Sequence, residues 1–169
     1  LFQNIDLPGL AMELGAGFVA RSFSGDKVQL IPLIKAALAH PGFALIDVIS
    51  PCVTFNNNVG STKSYDYVRQ HVDATATVDF VPHAAEIKTT YEAGSNKLVS
   101  MHDGSLIKLN KLQADWDPTN RDSAVHALHE ANSKGEILTG LIYINEESQD
   151  LHQLLNTSKK PLKTLSEQQ

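Results

Sequence analysis

The fold is decided by residues 18–49, which read FVARSFSGDKVQLIPLIKAALAHPGFALIDVI. The apolar run at each end of this stretch has the length and composition of a buried strand. Between the two runs, residues 24–26 offer a turn and a helix cap, and residues 27–40 carry apolar side chains at helical spacing. Pro41-Gly42 then ends the helix. A strand, a helix and a second strand in this order predict a right-handed parallel βαβ crossover.

The single cysteine of the chain, Cys52, follows the second strand within residues 50–56, SPCVTFN. Loops that leave the carboxyl ends of parallel strands hold the ligands of open α/β sheets. A lone cysteine is by its side-chain habits more often a small buried residue than a ligand or a nucleophile. The polar stretch 56–62 that follows predicts a loop that lines a site, which makes Cys52 a candidate site residue.

The remaining pattern is mixed. Residues 10–23 predict a short helix that passes through a glycine break into the first strand. Later predictions are a short helix over 63–70, a strand end at 78–82, a helix over 83–90, a hairpin over 97–109 with its turn at 102–104, a helix over 120–133 ended by Lys134-Gly135, and a strand over 136–145.

Composition limits the class of protein. With 169 residues, 42% of them hydrophobic, the chain fits one domain or one domain with an extension. It has neither a run of about 20 apolar residues nor a signal-peptide pattern at its start, so we expect a soluble, cytoplasmic protein with no membrane partner. A net charge of -5 without a dense block of Lys or Arg argues against nucleic-acid binding.

Two features predict that the sequence is part of a longer protein. It begins with Leu1 rather than Met. A two-stranded parallel unit also cannot account for a sheet that is buried on both faces. We therefore expect further strands to come from a missing N-terminal part or from a partner subunit.

Six segments, read in order, resemble the beta subunit of the 2-oxoacid:ferredoxin oxidoreductases. They are residues 18–26, 40–48, 50–56, 101–105, 115–121 and 138–143. The segments at 50–56 and 102–105 look most like the two-subunit enzymes that act on 2-oxoglutarate. The resemblance covers nearly the whole chain except the last dozen or so residues, and it is a resemblance to the C-terminal half of the subunit.

The resemblance implies an α/β fold with three parts. Residues 1–55 would be the C-terminal part of a thiamine-diphosphate-binding domain, built on the parallel βαβ unit. Residues 56–155 would form a mixed α+β extension of the beta subunit. Residues 156–169 would be a mobile tail, as their polar composition also indicates.

The implied activity is a coenzyme-A-acylating oxidative decarboxylation of a 2-oxoacid. Thiamine diphosphate with Mg²⁺ would serve the decarboxylation, and a 4Fe-4S cluster would pass electrons to ferredoxin. The beta subunit would work with an alpha subunit. Cys52 matches the fourth cluster cysteine of the family, a role for which a thiolate is the usual ligand. The Gly-Asp-Gly motif for diphosphate and magnesium and the upstream cysteines are absent from this chain, so no catalytic residue is assigned and the chain alone is expected to be inactive.

Two other classes stay open. The chain could be a truncated, non-catalytic interaction or assembly module that docks on a partner without a cofactor. A thiol-dependent enzyme is a third alternative, but it needs a base beside Cys52, and no histidine is nearer in sequence than His40 or His71.

Several histidines have a simpler explanation than catalysis. His126 and His129, with Glu130, have helical spacing that could face a metal, but a solvated helix face is favoured. Residues 102–105, His-Asp-Gly-Ser, could be read as a catalytic pair with a serine, but a hairpin turn explains Asp-Gly more simply.

Three further side chains are weaker candidates. Arg21 could bind a phosphate or a carboxylate through its planar fork, or form a structural ion pair. Lys27 could steer an anionic partner. Trp116 is most simply a core or interface residue.

Overall fold

The computed structural model describes residues 5–50, 86–102 and 104–157. The elements in these ranges are α1 (Leu7–Glu13), β1 (Phe18–Phe23), α2 (Lys27–Ala39), β2 (Ala44–Ile49), β3 (Asn96–Ser100), β4 (Leu106–Lys111), α3 (Arg121–Ser133), β5 (Ile137–Ile144) and α4 (Leu151–Leu154). The strands form one five-stranded mixed sheet in the order β2-β1-β5-β4-β3. The predicted α/β class is confirmed.

The predicted βαβ crossover is confirmed. β1 and β2 are parallel and pair from Phe18 with Ala44 to Phe23 with Ile49. α2 begins after Asp26, whose side chain accepts a hydrogen bond from the amide of Gln29, as expected of a helix cap. The turn, the apolar spacing and the Pro-Gly stop therefore specify this unit locally.

The expectation that all further strands come from outside this chain is wrong for one side of β1. β5 pairs antiparallel with β1, and β4 pairs parallel with β5. β5 can take this interior position because its side chains are buried or half-buried on both faces of the sheet. Within the described residues, β2 has β1 as its one strand neighbour.

Helices cover the two faces of the sheet. α1 and α3 pack on one face, where Val19, Leu128 and Ile142 belong to one buried cluster. α2 covers the other face, where Leu33 packs with Phe18. The alternation of Phe18 and Val19 between the two clusters follows from the two-residue period of a strand.

The predicted hairpin is confirmed as β3 and β4, which pair antiparallel. The amide of Met101 donates to the carbonyl of Ser105 at 2.8 Å and closes the turn, while Asp103 lies outside the described residues. The inner face of the hairpin packs Val99 and Leu109 against Phe23, at the carboxyl end of β1. The hairpin thus covers part of the edge where the sequence predicts a site.

The helix predicted over 83–90 is wrong where it can be compared, because residues 86–92 form neither helix nor strand. In this segment the amide of Thr89 donates to the carbonyl of Gly25 at 3.1 Å, a contact that replaces a local helical bond. The elements predicted at 63–70 and 78–82 lie outside the described residues. The sheet takes strands from residues on both sides of position 55, and the division at that position remains a prediction.

Among the described helices, none is long and apolar enough to span a membrane.

Candidate functional site

The carboxyl ends of β1 and β2 form the candidate site. The chain leaves β2 at Ser50 and is next described at Glu86, whose carboxylate pairs with Lys27 at 2.5 Å, beside the start of α2. The amide of Ser24 donates to the carbonyl of Ile49 at 2.9 Å, which joins the two strand ends. Ser50 and Glu86, the described residues on either side of this gap, therefore lie at the same edge of the sheet.

Cys52 and the loop over 56–62 lie outside the described residues. The role predicted for Cys52 stays a prediction. The structure describes the sheet edge as far as Ser50, which is two positions before Cys52 in the chain.

Gly25 lets the returning segment approach the turn between β1 and α2. A Cβ at this position would overlap the carbonyl oxygen of Ile87 and lie 2.6 Å from a ring carbon of Phe23. The absence of a side chain therefore permits the hydrogen bond between Gly25 and Thr89. This close approach holds residues 86–91 beside the sheet edge.

A buried ion pair lies directly under this turn. One carboxylate oxygen of Asp26 is 2.7 Å from the ammonium nitrogen of Lys111, and the other caps α2. The side chain of Asp26 is fully buried and that of Lys111 is 14% exposed. A carboxylate at this depth needs a cation and hydrogen bonds to compensate its lost hydration.

Tyr91 and Thr139 complete what we name the edge network, formed by Asp26, Lys111, Tyr91 and Thr139. The Lys111 ammonium lies 4.2 Å from the ring centroid of Tyr91, within cation–π range. The hydroxyl of Tyr91 is 2.7 Å from that of buried Thr139. Burial raises the pKa of Tyr91, so its phenol stays neutral at physiological pH.

Arg21 forms a structural ion pair, one of the two roles that the sequence allowed for it. Its Nε donates to Asp47 at 2.8 Å, and its Nη2 lies 3.6 Å from Asp6. Lys27 holds the pKa of Glu86 below its usual value through their hydrogen bond. Both cations are therefore engaged by carboxylates of the chain.

The solvated-face interpretation of the histidines is confirmed. His126 and His129 are exposed on α3, and Glu130 pairs with Lys134 at 2.6 Å. Throughout the described ranges, no group of three or more His, Cys, Asp or Glu side chains could hold a metal ion. Trp116 is half-buried against the core, and its Nε1 donates to the carbonyl of Ile142 at 3.2 Å.

A second polar cluster centres on Glu136, at the start of β5. Its side chain is 5% exposed and pairs with the ammonium of Lys108 at 2.7 Å. Asn110 donates to the same carboxylate at 2.7 Å. Two hydrogen bonds lower the pKa of Glu136, the larger effect coming from Lys108 and the smaller from Asn110. A cavity of about 370 Å³ beside this cluster is also lined by Trp116 and Lys134.

Sequence reasoning found one of the four residues of the edge network. It identified Asp26 as a helix cap, because a cap has a local signal. It missed Lys111, Tyr91 and Thr139, since polar residues at a strand end or in an irregular segment carry no pattern that reveals a distant partner.

A family model described as the C-terminal part of the pyruvate ferredoxin oxidoreductase beta subunit matches residues 107–160. This range includes most of β4 and all of α3 and β5, which surround the Glu136 cluster and supply two members of the edge network, Lys111 and Thr139.

Three curated relatives are similar to stretches of the chain. The chain is 38% identical over 73 residues to subunit beta of 2-oxoacid:ferredoxin oxidoreductase 2 from Aeropyrum pernix, covering 43% of this chain and 23% of the relative. It is 46% identical over 57 residues to the corresponding subunit from a Sulfolobus species, covering 34% and 18%. It is 38% identical over 53 residues to the 2-oxoglutarate synthase subunit KorB of Methanocaldococcus jannaschii, covering 31% and 20%.

One solved structure shares the fold. It is a 2-oxoglutarate:ferredoxin oxidoreductase from Magnetococcus marinus, solved with 2-oxoglutarate, coenzyme A and succinyl-CoA bound. The TM-score is 0.53 at 18% identity, and the match covers 96% of this chain and 43% of that chain. The matches span about a fifth of the length of the three curated relatives. Together these comparisons confirm the resemblance that the sequence carries.

Proposed function

We propose, from the likeness to the C-terminal half of the beta subunits of 2-oxoacid:ferredoxin oxidoreductases, that this chain is part of such a subunit. The reaction would convert a 2-oxoacid and coenzyme A into an acyl-CoA and carbon dioxide, releasing two electrons and one proton. Ferredoxin would accept the electrons. The observation that carries the proposal is the family match over 107–160. The matched residues include β5, which lies in the same sheet as the βαβ unit.

We propose 2-oxoglutarate as the 2-oxoacid. The support is two similar proteins whose names specify 2-oxoglutarate: the 2-oxoglutarate synthase subunit KorB of Methanocaldococcus jannaschii and the 2-oxoglutarate:ferredoxin oxidoreductase of Magnetococcus marinus. We place the substrate pocket mainly outside this chain, in the remainder of the subunit and the alpha subunit.

Cys52 is proposed as one of four thiolate ligands of a 4Fe-4S cluster. The donor chemistry fits, because such clusters are held by cysteine thiolates that separate loops can supply. With a single cysteine, this chain would contribute one ligand and other polypeptide the remaining three. Thiamine diphosphate and Mg²⁺ would be bound chiefly by residues beyond this sequence, and the cluster would supply one-electron transfer to ferredoxin.

The division into residues 1–55, 56–155 and 156–169 belongs to the same proposal, as does a cytoplasmic location. An alpha subunit is the proposed partner. α2 supports a larger assembly, because several of its outward side chains are large and apolar: Val28 is 72% and Leu38 83% exposed. A contiguous exposed apolar surface typically marks a site of contact with another protein.

The test is the iron and acid-labile sulfide content of the beta subunit, purified anaerobically with its partner subunit. The electron paramagnetic resonance spectrum of the reduced protein is recorded as well. We expect Cys52→Ser to lose or destabilise a four-iron cluster that the unmodified protein contains. Ser50→Ala, two positions away and exposed, is the matched control and should keep the cluster.

An unaltered cluster in Cys52→Ser would remove Cys52 from the ligand set. A protein with no iron or sulfide, but with a stable partner complex, would instead favour the alternative function as an interaction or assembly module.

A further inference from the structure

We propose that Lys111 is a positioning residue for the carboxyl edge of the sheet, which it fixes through the ion pair with Asp26. This inference rests on the proposed function, because the residues that it positions flank the segment containing Cys52. Lys111 touches no reacting group in this scheme. Its role is to set the spacing between the chain that leaves β2 and the chain that returns beside α2.

The first step is the fixing of the turn between β1 and α2. Asp26 uses one carboxylate oxygen to cap α2 and the other to bind Lys111. The amide of Asp26 also donates to the carbonyl of Phe23 at 3.0 Å. Because a fully buried carboxylate is costly without a cation, loss of the Lys111 ammonium would destabilise this orientation of the turn.

The second step is the contact of that turn with both flanks of residues 51–85. On one side, the amide of Ser24 donates to the carbonyl of Ile49, next to Ser50. On the other side, the carbonyl of Gly25 accepts from the amide of Thr89. Two adjacent residues of one turn therefore hold the departing and the returning chain.

The third step is the direct contact of Lys111 with the returning segment. The ring of Tyr91 covers the ammonium group, and the hydroxyl of Tyr91 is bound to Thr139 on β5. A methionine could fill much of the same volume, but it would neither compensate Asp26 nor bind the ring face electrostatically. Lys111 is thus tied to the turn, to the returning segment and to the sheet.

The test uses the beta subunit purified anaerobically with its partner subunit, unmodified and as Lys111→Met. Lys108→Met is the matched control, because Lys108 lies on the same strand and forms its own ion pair with Glu136. Amide hydrogen exchange is followed by mass spectrometry in peptides covering 22–29 and 86–92. We expect exchange to become roughly tenfold faster in both peptides of Lys111→Met and to stay unchanged there in the control.

The second readout is the reduced cluster, by its paramagnetic resonance spectrum and its midpoint potential. We expect the spectrum and the midpoint potential to shift in Lys111→Met. Both should stay unchanged in Lys108→Met. If Lys111→Met does not fold, the double variant Asp26→Asn with Lys111→Met removes the uncompensated charge, and the same shift is expected because the tie is still missing.

Unchanged exchange in the two peptides together with an unchanged spectrum would overturn the inference, even if thermal stability fell. Faster exchange with an unchanged spectrum would also overturn it, since Lys111 would then be purely structural. Absence of iron and sulfide from the unmodified protein would be a failure of the proposed function, which is a separate result.

Discussion

The ammonium nitrogen of Lys111 lies 2.7 Å from a carboxylate oxygen of Asp26, although the two residues are 85 positions apart in the chain. The pair joins the end of the hairpin to the start of α2. It therefore ties the βαβ unit to the later half of the chain by charge, in addition to the strand pairing of β5 with β1.

Breaking this pair from one side should be strongly destabilising. Asp26→Asn leaves the ammonium of Lys111 buried without its counter-charge, and we expect a loss of about 3–5 kcal/mol in the free energy of unfolding. The double variant with Lys111→Met should lose less than the two single variants added together. Urea denaturation followed by circular dichroism measures both quantities, and strict additivity would contradict the pairing.

Gly25→Ala should separate the returning segment from the turn. The new Cβ would collide with the carbonyl of Ile87, and relief requires backbone movement, at a cost of about 1–3 kcal/mol. Ser24→Ala is the control, because it keeps the backbone bond from Ser24 to Ile49. Thermal unfolding compares the two, and equal midpoints would show that the approach of Ile87 is not close in solution.

The stability of the protein at acid pH should depend on Glu136. Hydrogen bonds from Lys108 and Asn110 lower the pKa of Glu136 in the folded state. A lowered pKa stabilises the fold at pH values above the ordinary glutamate value of about 4.3, and this contribution is lost as pH falls toward the folded value.

Glu136→Gln should therefore reduce stability at pH 7 and reduce its loss between about pH 5 and pH 3. Urea midpoints measured across this range check the prediction. The exposed Glu147→Gln serves as the control and should leave the acid dependence close to that of the unmodified protein. A Glu136→Gln curve parallel to the unmodified one would contradict the lowered pKa.

Asn120→Ala should weaken the start of α3. The side chain of Asn120 accepts a hydrogen bond from the amide of Ser123 at 3.0 Å, so its removal should cost about 1 kcal/mol. Ser123→Ala keeps the same amide and should cost less. Chemical denaturation distinguishes the two variants, and a larger loss for Ser123→Ala would assign the cap to another group.

Local structure was predictable wherever the chain carries its own signals. The βαβ unit has a turn and cap at 24–26 and a stop at Pro41-Gly42, and both ends of α2 follow from them. Asn120 marks the start of α3, as the sequence predicted. These features depend on neighbours in sequence, which a single chain displays.

The order of strands was not predictable in the same way. Nothing in the apolar run of β5 indicates that it pairs antiparallel with β1 and parallel with β4, because burial on both faces suits several positions in a sheet. The helix predicted over 83–90 does not form at residues 86–90, where the amide of Thr89 instead binds the carbonyl of Gly25, a partner far away in sequence that no local pattern reveals. Of the candidate site, the edge was predicted and the edge network was largely missed.

The pairing of β1 with β5 has a consequence for the kinetics of folding. Phe18 meets Ile144, so the second neighbour of β1 comes from the far end of the described chain. Contacts of such long sequence separation form late, because loop closure must precede them. During synthesis, one edge of β1 would therefore stay unpaired until β5 leaves the ribosome. In this period a chaperone or a partner chain could bind the exposed edge.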